Sequence, residues 1–114
     1  MADHPITITA SNDRIVVRWR GRTIVDTTRA LELKEHVYPV VLYVPRADAD
    51  MHRYERSDRH TTCPYKGVAS YFHLADGGHR DDNAVWSYET PKAEVAAIAG
   101  CLAFYTDKVE IERA

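Results

Sequence analysis

The chain has two cysteines in 114 residues, and they are not paired at the short spacing of a zinc knuckle. That is too few for a disulfide scaffold and the wrong pattern for a structural zinc site. No export signal is read at the start, where Met1-Ala2-Asp3-His4-Pro5 lacks a basic-then-apolar run, so the cytoplasm is the expected location. No long hydrophobic run occurs either: the stretch 93–105 contains Glu94 and is too short to span a bilayer, so no membrane partner is expected. There is little excess charge, with a formal net of −2, which argues against a scaffold held to nucleic acid by bulk charge. Lysine is scarce, four against eleven arginines. Arginine suits planar, bidentate contacts with carboxylate or phosphate. Repeats, low-complexity segments and linkers are absent, so residues 1–114 are expected to form a single domain.

What the chain does have is a succession of short β-type runs. Ile6-Thr7-Ile8-Thr9 alternates. Ile15-Val16-Val17-Arg18-Trp19-Arg20 and Thr23-Ile24-Val25-Asp26-Thr27 flank Gly21-Arg22, which reads as a tight hairpin. Leu31 and Leu33 alternate as in a strand, Val40-Val41-Leu42-Tyr43-Val44 reads as a buried strand closed by Pro45, and the segment from Met51 to Arg56 reads as another strand. Val68-Ala69-Ser70-Tyr71-Phe72-His73-Leu74 and Asn83-Ala84-Val85-Trp86-Ser87-Tyr88 follow on either side of Gly77-Gly78. A single short helix is expected over residues 91–99, capped by Thr90, opened by Pro91 and ended by Gly100. Leu102-Ala103-Phe104-Tyr105 and Val109-Glu110-Ile111-Glu112 are expected to close the fold as a hairpin. The fold class is therefore mainly β: a small antiparallel barrel or rolled two-layer sheet of about eight short strands with one short helix.

Five segments, in order and spacing, resemble one family. They are Thr28-Arg29-Ala30-Leu31, Tyr43-Val44-Pro45-Arg46-Ala47-Asp48, Thr62-Cys63-Pro64-Tyr65-Lys66-Gly67-Val68-Ala69-Ser70-Tyr71, Ala84-Val85-Trp86-Ser87-Tyr88-Glu89, and Ile98-Ala99-Gly100 followed by Ala103-Phe104-Tyr105. They are similar to the bacterial and fungal domain of unknown function 427, labelled nucleotidyltransferase-like, over about residues 15–109. The resemblance implies a small, largely β, single-domain protein. The label implies a nucleotide-like ligand class.

The densest reactive stretch is His60-Thr61-Thr62-Cys63-Pro64-Tyr65-Lys66-Gly67, a turn between two strand-like runs. Cys63 has two readings: a thiolate nucleophile activated by His60 or Lys66, or a buried anchor of the loop. Lys66 is a candidate anion contact or catalytic group, although the glycine and hydroxyl residues of a phosphate-binding P-loop are missing around it. Arg46, leaving a strand through Pro45, is a second candidate clamp, with a salt bridge to Asp48 as the alternative. Arg29 is expected to pair with Asp26 or Glu32. Asp48 and Asp50 could face one metal ion from an extended segment, but exposed loop acids are the favoured reading, and no metal site is expected. His73, His79, Asp81 and Asp82 fit no closed metal site. Tyr43, Tyr71, Trp86, Tyr88 and Tyr105 are core or pocket aromatics, with Tyr71 and Trp86 the expected pocket members.

The leading expectation is a small-ligand domain whose ligand is an anionic metabolite or nucleotide, bound by Arg46, Lys66, Tyr71, Trp86 and His60. The alternatives are thiol-dependent catalysis at Cys63 with Lys66, nucleotidyltransferase-like activity, or an interaction module without a pocket. No cofactor is identified. Homodimerisation through an edge strand is open to a small β domain.

Overall fold

The computed structural model describes residues 4–114. The expectation of a missing export signal rests partly on the first three residues, which lie outside the described residues. The described chain forms ten strands: β1 (Ile6–Ala10), β2 (Ile15–Trp19), β3 (Arg22–Thr27), β4 (Leu31–Glu35), β5 (Val41–Tyr43), β6 (Tyr54–Cys63), β7 (Gly67–Ala75), β8 (Arg80–Ser87), β9 (Ala103–Phe104) and β10 (Glu110–Arg113). The hairpin expected near Gly21 joins β2 to β3. Arg20 (φ 52°) and Gly21 (φ 79°) both take left-handed conformations, as a two-residue turn matched to strand twist requires.

The strands form three antiparallel sheets, β1-β4-β5, β10-β2-β3 and β6-β7-β8-β9. A bridge between Val44 and Leu102 stitches β5 to the β9 end, with reciprocal backbone bonds of 2.9 and 2.8 Å. The first and third sheets thus form one rolled surface, but no closed barrel.

Alternation sorts the side chains of the four-stranded sheet onto two faces. Phe72, Val85 and Phe104 are cross-strand neighbours on one face, and Tyr71, Trp86 and Ala103 on the other. The first face packs against the β10-β2-β3 sheet in a core that includes Ile15, Val17, Trp19 and Leu102. The second meets Leu33 and Tyr43 of the β1-β4-β5 sheet in a separate core. Both faces of the central sheet are therefore covered. The aromatic side of the second core borders the candidate site.

Three expectations about local structure are corrected. The short helix expected over 91–99 forms as a 3-10 helix, Ala93–Ile98, without the Thr90 cap: it is entered from Lys92 and broken at Val95 (φ −124°, ψ 28°). Its two anchors, Val95 and Ile98, lie three residues apart and are both fully buried. A three-residue turn places such a pair on the same side, where both reach the second core. The segment 51–56 is strand only from Tyr54, where β6 begins; Met51–Arg53 is a 3-10 turn, with Asp50 accepting a bond from the His52 backbone N–H at 3.3 Å. The closing hairpin does not form: β9 pairs with β8, whereas β10 pairs with β2. Ala103 and Phe104 are buried in the central sheet, while β10 is a largely exposed edge strand lying along β2. No helix among the described residues is long and apolar enough to cross a membrane.

Candidate functional site

The reactive loop is the connection between β6 and β7. Cys63 is the register partner of Gly67, leaving Pro64-Tyr65-Lys66 as the turn. Gly67 sits at φ 114°, a backbone region closed to most side chains. The Lys66 carbonyl accepts a 3.0 Å bond from the Lys92 backbone N–H, which ties the turn to the approach of the 3-10 helix.

Lys66 is not a solvated turn lysine. It is buried, and its ammonium donates to the Glu35 carboxylate at the end of β4. It also lies over the Tyr88 ring, 5.8 Å from the centroid. Glu35 is held on its other oxygen by His4 at 2.6 Å, and His4 stacks flat on Tyr65 with ring centroids 3.6 Å apart. Burial pushes the Glu35 carboxyl up, but the Lys66 and His4 contacts outweigh it and hold the group below its ordinary range.

Above this ion pair lies a cavity of about 250 Å³, walled by Lys66, Glu35, Leu33 and Val41 and by five aromatics: Tyr43, Tyr71, Trp86, Tyr88 and Tyr105. Tyr71 and Trp86 are cross-strand partners, so the sheet sets them side by side. The Trp86 indole N–H donates to the Tyr43 hydroxyl at 3.3 Å, and Tyr105 packs on Trp86 with centroids 4.7 Å apart. Tyr43 is buried and accepts from Trp86, and its own proton has no acceptor among the described residues. The Tyr88 hydroxyl has no protein partner among the described residues.

The phenols differ in acidity. Burial pushes Tyr43 up to about 12 and raises Tyr88 as well. Tyr71 moves the other way. Burial alone would raise it, but hydrogen bonds from Thr61 (2.8 Å) and Tyr105, together with the Arg59 guanidinium, favour the phenolate. Arg59 lies 5.0 Å from the Tyr71 ring centroid. Tyr105 shifts upward, first through burial and then through its bond to Tyr71.

Cys63 is a half-buried free thiol packed against the second core. His60 is exposed, with Nδ1 3.2 Å from the Asp58 carbonyl. Three residues apart on a regular strand, the two side chains point to opposite faces, so the imidazole does not reach the thiol. Thr61 and Cys63 point inward, and His60 and Thr62 outward.

Arg46 also does not join Lys66. It donates to the Gly100 carbonyl (3.1 Å), the Ser87 hydroxyl (3.1 Å) and Glu89 (3.0 Å). Arg56 grips the same carboxylate at 3.0 and 2.9 Å. Both guanidinium groups lie over Phe72, 5.2 and 5.0 Å from its centroid. The Arg56 and then the Arg46 contacts hold Glu89 down to about 2. Arg46 thus has each of its three guanidinium nitrogens bonded in an internal cluster and borders a separate depression with Arg29 and Cys101.

The remaining candidates are occupied elsewhere. Arg29 pairs with Asp48 (3.0 Å), not with Asp26 or Glu32, and Thr27 donates to the same carboxylate at 2.7 Å. Asp26 is taken by Arg14 and Glu32 by Arg113. Asp81 accepts the Trp19 indole N–H at 2.7 Å, and His73 Nδ1 accepts the Asn83 backbone N–H at 2.9 Å. Among the described residues no group of three or more His, Cys, Asp or Glu is placed to hold a metal ion. Glu35 and Arg59 are candidate-site residues that the sequence did not single out. Glu35 is the last residue of β4, and only the folding of β4 beside the β6–β7 turn brings it to Lys66.

Against this geometry, the family described as "Domain of unknown function (DUF427)", labelled NTP_transf_9, matches residues 7–114. No curated protein matches the chain.

Proposed function

We infer that this chain, which belongs to the DUF427 family, is a small-ligand-binding domain whose site is the tyrosine-lined pocket. One observation carries the reading. Four phenols and an indole surround an open cavity backed by a buried Lys66–Glu35 pair, and at least two of the hydroxyls keep a proton to donate. A core that needed only packing would fill that space with apolar side chains, whereas ligand pockets combine apolar walls with a few convergent polar groups.

The pocket chemistry selects a compact ligand. Its volume of about 250 Å³ falls below the range of roughly 300–1,000 Å³ usual for drug-sized ligands. Phenol hydroxyls and the Lys66 ammonium donate, so the ligand presents acceptor oxygens, as a carboxylated or phosphorylated metabolite does. A planar portion, such as a nucleobase, would stack on Trp86 and Tyr105. Glu35 matches the Lys66 charge, so the excess positive charge toward an anion comes from Arg59, which lies over the Tyr71 ring.

Of the two groups expected to activate Cys63, His60 is turned away and the Lys66 ammonium is engaged by Glu35, so the catalytic reading is the weaker one. The Asp48–Asp50 pair weighed for metal-assisted nucleotidyl transfer is not free, because Asp48 is engaged by Arg29 and Thr27. The test is a thermal-shift panel of nucleotides, sugar phosphates and small carboxylates, with and without magnesium, on the wild type and on Tyr71→Phe. A ligand at ten times its dissociation constant adds about 1.4 kcal/mol of stability, an upward shift of several degrees. The shift should shrink in Tyr71→Phe. Absence of any stabilisation at millimolar concentration, in protein purified without ligand, would remove the reading.

A further inference from the structure

A second cavity opens on the other side of the Trp86–Tyr105 wall. It holds about 340 Å³, and its walls include Leu42, Val44, Phe104 and Ile111. Tyr38 and Val40 form its lip and stand 56% and 45% exposed. Val41, Trp86 and Tyr105 line both this cleft and the tyrosine pocket. The two spaces are therefore neighbours with a shared partition, one lined with hydrogen-bond donors and one almost wholly apolar.

We propose that the cleft and the tyrosine pocket form one bipartite site for an amphiphile, a medium-chain carboxylate whose head enters the pocket and whose alkyl chain lies in the cleft. This rests on the ligand-binding reading of the pocket and names the ligand class. The head is assigned from the donors that face it: the Tyr43 and Tyr88 hydroxyls and the Lys66 ammonium. The tail is assigned from the apolar walls of the cleft, where an alkyl chain gains by leaving water. The size of the cleft favours a small molecule over a protein partner. Its volume lies within the small-ligand range, whereas a stable protein interface covers about 800 Å² per partner. Val41, Trp86 and Tyr105, which line both spaces, are the surface along which the chain would run from one to the other.

The experiment uses the full chain and follows the Trp86 indole N–H resonance during titration with butanoate and with octanoate. The Trp86 signal is separable from that of Trp19, which is fully buried and bonded to Asp81. Burying a methylene is worth about 0.8 kcal/mol, so octanoate, four methylenes longer, should bind at least about tenfold more tightly even if half that gain is lost. Val40→Glu and, as a second exposed-lip variant, Tyr38→Glu should cut the octanoate affinity toward that of butanoate. Tyr88→Phe should weaken both probes.

Equal affinity for the two carboxylates would overturn the bipartite site while leaving the pocket reading in place. Octanoate binding indifferent to Tyr88→Phe would also overturn it, because the chain would then bind without its head. Light scattering that shows a dimer dissociated by Val40→Glu would assign the cleft to a second copy and overturn the proposal. No response to either carboxylate, together with a blank thermal-shift panel, would remove both readings.

Discussion

Lys66 and Glu35, thirty-one residues apart, meet beneath the aromatic pocket as a buried ion pair, with His4 closing the other side of the carboxylate. The pair fixes the β6–β7 turn against β4 and places a cation at the base of the cavity. Its two side chains are 10% and 16% exposed, so neither partner is well solvated if left alone.

Removing one partner should therefore be costly. Glu35→Gln is expected to lower stability by about 2 kcal/mol, or about 8 °C in Tm, because Lys66 keeps a charge in a poorly solvated place. Lys66→Met should cost less, since Glu35 retains His4. The double variant should be more stable than the sum of the two losses implies. Denaturant melts of the four proteins measure the coupling. Strict additivity would show that the pair contributes nothing as a unit.

Glu89 predicts an acid-side instability. Its carboxyl titrates near 2 in the folded protein against an ordinary 4.5, so the folded state favours the ionised form. A depressed carboxyl contributes stability that is complete above its unfolded value and is lost as pH falls through the folded one. Wild-type stability should thus fall between about pH 5 and pH 2. Glu89→Gln should be less stable at pH 7, by about 2 kcal/mol after allowance for solvent screening, and flatter over the acid range. Parallel stability curves for the two proteins would contradict this assignment. The lowered Glu35 carboxyl adds a loss of the same sign.

Strand identity was largely readable from residue type, and partner identity was not. Ile15-Val16-Val17 and Thr23-Ile24-Val25 announce a hairpin because a positive-φ Gly21 turn and β-branched runs are local facts. The destinations of β9 and β10 are not local. The two segments lie close in sequence and read as a hairpin, but the fold puts Phe104 against Val85 and Ile111 against Val17. The same limit governs the site. Tyr71 and Trp86, read as core or pocket aromatics, lie side by side on β7 and β8 and line the cavity. The commitment of Arg46 to Glu89, and of Lys66 to Glu35, depends on which strand ends meet after the sheet rolls. A periodic pattern specifies which face a side chain takes, but not which charge waits across the gap.

The phenols offer a spectroscopic check of the pocket. Tyr71 is shifted downward by its Thr61 and Tyr105 contacts and by Arg59, and Tyr43 upward to about 12 by burial. An alkaline titration followed by phenolate absorbance should show one early component below the ordinary value of about 10, missing in Tyr71→Phe. Arg59→Gln should move that component upward. If the early component persists in Tyr71→Phe, the acidic phenol lies elsewhere.

Gly67 sets where Lys66 points, and its replacement tests the turn. At φ 114° a side chain is strained even though the space beside it is ordinary: an added Cβ would sit 3.6 Å from the Lys92 nitrogen and the Pro91 Cα. The penalty is therefore conformational, of the order of 1–3 kcal/mol for a non-glycine residue held in such a region. Gly67→Ala should destabilise by about that amount and loosen the bond from the Lys92 N–H to the Lys66 carbonyl. Hydrogen exchange at the Lys92 amide reports that bond directly, and it should accelerate by more than the global loss of stability accounts for. Gly78→Ala is the control: Gly78 has no positive φ, and its added Cβ would meet only the Asp76 side chain at 3.9 Å, so it should cost little. If Gly67→Ala and Gly78→Ala were equally mild, the turn would not need glycine, and the placement of Lys66 would have to come from Glu35 alone.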